Sequence, residues 1–196
     1  MKYVMVIDLR QCVGCDTCTV ACKLDNQTGS GIQWGRVIEE ESGKFPEVKK
    51  LYIPILCMHC EESECLKVCP TKATYRDHRG LVLIDYDKCM GCKYCMLACP
   101  YMARHFNEAR KPPQGVPAGA GGDSRKGVVE KCDFCEDRLS VGGLPRCVEV
   151  CPYDARIFGD LDDPDSRVAK LVAEEKPEVL KPEGAYHPSV YYIGVK

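Results

Sequence analysis

Sixteen of the 196 residues are cysteine, and they fall into four sets of four with none left over. The sets are Cys12, Cys15, Cys18 and Cys22; Cys57, Cys60, Cys65 and Cys69; Cys89, Cys92, Cys95 and Cys99; and Cys132, Cys135, Cys147 and Cys151. The first and third read C-x2-C-x2-C-x3-C, the second widens the middle gap to four residues, and the fourth widens it to eleven. Cysteines at this density can bridge as disulfides, hold zinc or hold iron-sulfur clusters. Three of them at two-residue intervals on a tight loop converge on three corners of one [4Fe-4S] cubane, and the fourth corner needs a distant residue. A cysteine four positions farther on sits in the helical turn that follows and points towards a second cluster, so such motifs work in exchanging pairs.

Cys69, Cys99 and Cys151 are each followed by proline, the C-x3-C-P ending of bacterial ferredoxins. That proline fixes φ and releases the chain into an extended segment. A zinc-stabilised binding module with four-cysteine sites is the reading from another class, but zinc folds usually join two separated C-x2-C knuckles. Disulfides fit less well, because eight bridges would not call for four repeats of one short motif, and neighbours on such loops are poorly placed to bridge each other.

Which motifs exchange follows from chain distance. Nineteen residues separate Cys69 from Cys89, room for one hairpin with strands Thr74 to Arg76 and Leu81 to Ile84. Motifs two and three then form an inner unit, with Cys57, Cys60, Cys65 and Cys99 on one cluster and Cys69, Cys89, Cys92 and Cys95 on the other. Motifs one and four remain as an outer unit, with Cys12, Cys15, Cys18 and Cys151 on one cluster and Cys22, Cys132, Cys135 and Cys147 on the other. An internal repeat accompanies this: IDLRQCVGCDTCTVAC at residues 7–22 matches IDYDKCMGCKYCMLAC at residues 84–99, glycines and alanines included. CPTKATY, CPYMARHF and CPYDARIF form a second repeat, each turning into a short β-like run after an alanine.

Other residues carry less. His59 lies inside the second motif, yet a complete set of four cysteines leaves it no vacant iron, so hydrogen bonding or packing is its expected role. Lys67, Lys93, Lys131, Arg138 and Arg146 lie near ligand cysteines and could stabilise reduced clusters. Asp8 and Asp85 fit caps of the cluster loops better than acid-base work. No dinucleotide fingerprint, P-loop, H-E-x-x-H pair or serine nucleophile elbow occurs, so the chain reads as a non-catalytic component.

The formal charge of −2 counts the thiols as neutral. Four oxidised clusters at about −2 each would take it to about −10, which makes the scattered Lys and Arg counter-charges rather than a nucleic-acid footprint. No run of eighteen apolar residues exists to span a membrane, and the N-terminal stretch lacks the pattern of a signal peptide.

The expected fold class is α+β: two pseudo-repeated bacterial-ferredoxin-like units, loop-rich, with a hairpin insertion and a C-terminal helix and tail. Residues 1–30 and 131–160 make the outer unit, and 57–106 the inner one. In the insertion, 31–56, strands Ile32 to Glu40 and Lys49 to Ile55 flank a turn over 42–46. Residues 107–130 read as a Pro- and Gly-rich loop, and 161–196 as a helix with Pro164 in its first turn, followed by an extended tail that wraps back on the domain or onto another subunit.

VIDLRQCVGC, LYIPILCMHC, the CP motifs and the late GDLDDPDS segment carry a resemblance over nearly the whole chain. The sequence resembles the four-cluster ferredoxin-type electron-transfer subunits of the dimethyl sulfoxide reductase superfamily, of the polysulfide, thiosulfate, tetrathionate and arsenate reductase type. The resemblance implies four [4Fe-4S] clusters. It also implies a large catalytic subunit carrying a molybdenum or tungsten pterin cofactor, nearest the Cys12 set with Cys151, and a quinol-linked membrane subunit or other redox partner. Nitrate reductase relatives replace a third-motif cysteine by tryptophan and hold a [3Fe-4S] cluster; Cys92 keeps that place here. Many relatives cross to the periplasmic face of the membrane as passengers on a signal-bearing partner, and a cytoplasmic complex is the alternative. A polyferredoxin subunit of a hydrogenase or formate dehydrogenase is the competing function.

Overall fold

The computed structural model describes residues 1–108, 125–181 and 183–195. The strands are β1 (Tyr3–Asp8), β2 (Arg36–Lys44), β3 (Glu47–Ile55), β4 (Thr74–Arg76), β5 (Val82–Ile84), β6 (His105–Phe106), β7 (Val129–Glu130), β8 (Arg156–Asp160) and β9 (Val190–Ile193). The helices are α1 (Thr17–Asp25), α2 (Glu64–Lys67), α3 (Tyr94–Leu97), α4 (Glu136–Ser140), α5 (Arg146–Glu149) and α6 (Arg167–Glu175). Most of the Pro- and Gly-rich segment expected over 107–130 lies outside the described residues. Among the described residues no helix is long and apolar enough to cross a membrane.

Val4, Met5, Val6 and Ile7 are all fully buried, so β1 is covered on both faces. Alternation along the strand sends Met5 and Ile7 into the larger core and Val4 and Val6 into a smaller one shared with Ile157, Val168 and Ile193. β1 is the middle strand of the order β8-β1-β9, antiparallel to β8 from Tyr3↔Asp160 to Ile7↔Arg156 and parallel to β9 from Met5↔Val190 to Asp8↔Ile193. The tail thus folds back on its own domain, and the Tyr192 hydroxyl fastens it by donating to the Pro54 carbonyl at 2.7 Å.

β2 and β3 pair from Arg36↔Ile55 to Lys44↔Glu47, leaving Phe45 and Pro46 at the tip. The ladder starts later than Ile32 and runs through Ser42, Gly43 and Lys44, which the sequence assigns to the turn. Two causes account for this. Ile32 and Trp34 turn inward as core residues, and Gly43, at φ +92, lets the Glu47 carbonyl press against the place where a Cβ would stand. β4 and β5 form the hairpin expected between Cys69 and Cys89. α6 begins after Pro164 rather than around it. Ser166 is its N-cap, the hydroxyl oxygen accepting from the Ala169 N–H at 3.1 Å, and Val168 packs against Gly159.

The helices that carry the cysteine motifs pack in two pairs, α1 on α5 and α2 on α3.

Candidate metal centres

The third cysteine of every motif lies in a helix: Cys18 in α1, Cys65 in α2, Cys95 in α3 and Cys147 in α5. Each of the three C-P segments makes the same turn. The N–H groups of Cys69, Cys99 and Cys151 donate to the carbonyls of Leu66, Met96 and Val148 at 3.2, 3.3 and 3.3 Å. Their own carbonyls accept from Lys72, Met102 and Asp154 at 3.2, 3.2 and 3.3 Å. Those three residues have φ of +55, +49 and +52, a left-handed step that turns the chain towards β4, β6 and β8. Gly14 and Gly91 take positive φ inside the loops, at +68 and +71. The crowding that excludes a Cβ there comes from the Tyr52 ring at Gly14 and the Gly127 carbonyl at Gly91.

Cys12, Cys15 and Cys18 line one cavity with Cys151; Cys57, Cys60 and Cys65 a second with Cys99; and Cys89, Cys92 and Cys95 a third with Cys69. Mouths included, these measure about 370, 360 and 320 Å³, similar enough to take one kind of occupant. Cys22 meets Cys132, Cys135 and Cys147, and the Asn26 side-chain amide reaches both Cys22 Sγ at 3.6 Å and Cys135 Sγ at 3.9 Å.

The donor chemistry and spacing fit iron-sulfur clusters. Among the described residues no three His, Cys, Asp or Glu side chains converge tightly enough to share one metal ion. A tetrahedral zinc would draw its four sulfurs to about 2.3 Å from a single centre. A cubane spreads them, one thiolate to each iron. Burial pushes the Cys60 and Cys135 thiols up to about 12, with neighbouring cysteines and, at Cys135, Asp133 adding to it, and drives Cys22 and Cys132 up as well. A thiol so placed gives up its proton when a cation takes the sulfur, which the iron of a cluster would do here. Backbone N–H groups also converge on sulfur: Thr74 on Cys69, Ala103 on Cys99 and Phe134 on Cys132, each at 3.5 Å.

Of the five cations singled out from the sequence, only Lys131 is inside, donating to the carbonyls of Val82 and Cys132. Lys67 pairs with Glu62 and Glu64, Arg138 and Arg146 pair with Glu149, and Lys93 lies 3.9 Å above the Phe106 ring. Two arginines that sequence reasoning passed over touch sulfur instead. Arg104 donates to Cys65 Sγ at 2.9 Å, and Arg156 to Cys18 Sγ at 3.4 Å and Cys147 Sγ at 3.8 Å. The available signal is that both stand five positions after a C-P cysteine, in CPYMAR and CPYDAR. Asp8 and Asp85 cap the loops: Asp8 accepts from the Arg10 N–H at 3.0 Å, Asp85 from those of Asp87 and Lys88 at 3.1 and 3.3 Å.

The family model described as a 4Fe-4S dicluster domain matches residues 48–114 and 113–161. The iron-sulfur subunit of an arsenate respiratory reductase from Shewanella sp. (strain ANA-3) is 42% identical over 231 residues, spanning all of this chain and 99% of that one. A putative dimethyl sulfoxide reductase iron-sulfur subunit from Halobacterium salinarum is 46% identical, covering 98% of this chain and 79% of its own. A tetrathionate reductase subunit from Salmonella typhimurium is 40% identical, covering 99% and 73%. The chain belongs to the iron-sulfur subunits of the dimethyl sulfoxide reductase family. As such a subunit it carries four [4Fe-4S] clusters in ferredoxin-like domains and transfers electrons, with no catalysis of its own on a substrate.

Proposed function

We propose that this subunit conducts electrons between two partners through two ferredoxin-like units with exchanged ligands. The outer unit is built from residues 1–30 and 131–160, the inner one from 57–106, with 31–56 inserted as a hairpin, 107–130 connecting, and 161–196 closing the molecule. In the outer unit Cys12, Cys15, Cys18 and Cys151 hold one cluster, and Cys22, Cys132, Cys135 and Cys147 the other. In the inner unit Cys57, Cys60, Cys65 and Cys99 hold one, and Cys69, Cys89, Cys92 and Cys95 the other. The observation that carries this reading is the make-up of the cavities, each lined by three cysteines of one motif and the last of another. The matched packing of α1 on α5 and of α2 on α3 supports it. When bound, each cluster takes up and returns one electron.

The ends of the conducting path follow from exposure. Cys15 and Cys92 are the two exposed cysteines, one in the Cys12 set and one in the Cys89 set. Exposed apolar side chains stand beside them, Val13 and Tyr153 at one end and Met90, Tyr94 and Leu97 at the other. The remaining two sets meet inside, where His59 of the second motif hydrogen-bonds to the Cys132 carbonyl of the fourth at 3.1 Å. Similarity to subunits named for arsenate, dimethyl sulfoxide and tetrathionate reductases supports a large pterin-bearing catalytic subunit, with molybdenum or tungsten, at the Cys12 end. A quinol-linked membrane subunit or another redox partner takes the Cys89 end, and the complex works at the periplasmic face after export with a signal-bearing partner.

Anaerobic purification under native conditions tests this. About sixteen irons with matching acid-labile sulfide, together with a large pterin-containing chain, are expected. About four zincs without sulfide would end the conducting role, and a hydrogenase or formate dehydrogenase subunit in place of the expected partner would end the assignment of the complex.

A further inference from the structure

Arg104 and Arg156 are 3% and 4% exposed, and each lies beside cysteines of two motifs. Arg104 donates through Nη2 to Cys65 Sγ at 2.9 Å and also lines the neighbouring cavity that contains Cys95. Those are the third cysteines of motifs two and three. Arg156 reaches Cys18 and Cys147, the third cysteines of motifs one and four. The two guanidinium groups thus sit at matching places, five residues after Cys99 and Cys151. The corresponding positions after Cys69 and Cys22 hold neutral Thr74 and Gln27, so each unit receives one such charge and not two. In the inner unit Thr74 holds the fork in place, its hydroxyl accepting from Arg104 Nη1 at 3.1 Å.

We propose that Arg104 and Arg156 are positioning residues that set the reduction potentials of both clusters in their own unit, each acting as one positive charge shared between two ligand sets. This rests on the cysteine grouping proposed above. A buried guanidinium needs a counter-charge, and the groups facing these two are thiolates. Reduction adds a negative charge to each cluster, so a fixed cation with N–H groups on the ligand sulfurs favours the reduced form. Because the charge is shared, its removal acts on two centres at once and leaves the other unit alone.

Potentiometric titration followed by electron paramagnetic resonance tests this on cluster-loaded protein, purified anaerobically with any subunit it carries. In Arg104→Gln two of the four components move to lower potential, the reduced-to-oxidised ratio at a fixed potential falling about tenfold, a shift of about 59 mV for one electron. Arg156→Gln moves the other two. Arg104→Lys, which keeps the charge, restores most of the shift in the same pair. Movement of one component, of all four or of none overturns the role. Iron and sulfide measured on the same samples separate the two levels of the argument. About sixteen irons with unmoved potentials end the arginine role alone, whereas fewer in the unsubstituted protein end the grouping beneath it. Should a glutamine variant fail to load, unsubstituted protein grown with guanidinium-15N arginine decides by pulsed resonance. Nitrogen couplings on the reduced clusters support the contacts, and their absence overturns them.

Discussion

A histidine with both ring nitrogens engaged has nothing left for iron, and His59 is in that position. Its Nδ1 accepts from the Val82 N–H at 3.0 Å, its Nε2–H donates to the Cys132 carbonyl at 3.1 Å, and its ring stacks on Phe134 at 3.9 Å. Burial, with the positive charges of Lys131, Arg104 and Arg76, pushes its pKa well down and keeps the ring neutral. His59→Ala removes the stack and leaves the buried Val82 N–H without its acceptor, while the Cys132 carbonyl keeps only Lys131. A loss of about 3 to 5 kcal/mol is expected, read as an earlier loss of cluster absorbance on heating. Unchanged stability would show that the ring does not join the two motifs. At this scale the cysteine motifs stand out because their spacing is itself the chemistry, and the hydrogen-bonding and packing role expected of His59 is the one its ring takes. The buried arginines stand out less: residue type does not separate Arg104, among sulfurs, from Arg146, on the surface with Glu149, and only the place five residues after a C-P cysteine does.

Elements with local rules are read well and elements made by distant contacts are not. The hairpin of β4 and β5 follows from alternation around a Gly-containing turn, and its strand bounds agree with the sequence to within one residue. The extended apolar piece Val190 to Ile193 is legible in the tail and becomes β9, but its partner is not, because it pairs parallel to β1 from the far end of the chain. α6 falls between these cases: its apolar face is legible, but its start is not, since Pro164 and Ser166 both offer a helix beginning. The hydroxyl decides it, because Ser166 can accept the Ala169 N–H whereas proline offers no side-chain acceptor. Ser166→Ala is therefore expected to cost about 1 kcal/mol and Ser166→Asp far less. The check is the temperature at which cluster absorbance disappears; equal behaviour of alanine and aspartate would mean that the cap is not what anchors α6 over Gly159.

At the scale of the whole molecule, the cysteines proposed as cluster ligands are also part of what holds the fold. Cys22, Cys57 and Cys132 belong to the main core, and Cys60, Cys99 and Cys147 pack against it. α2 to α5 are four or five residues long, far below the length at which a helix persists without tertiary support. Composition points the same way, with a single tryptophan and an 8% aromatic share. What spacing does not carry is which sets face solvent, since the exposure of Cys15 and Cys92 depends on how separate segments close over the other two. Iron removal should expose this division of labour. With an oxidant and a chelator the inner segment, 57–106, keeps only a hairpin of two three-residue strands, two single-turn helices and the two-residue β6, and should lose amide protection as iron leaves. β1, fully buried from Val4 to Ile7 and paired on both edges, owes less to metal and should exchange last. Hydrogen exchange during chelation reads both. Protection lost uniformly would make the fold a single metal-dependent unit, whereas protection retained throughout 57–106 would mean that the clusters are guests in a fold that stands without them.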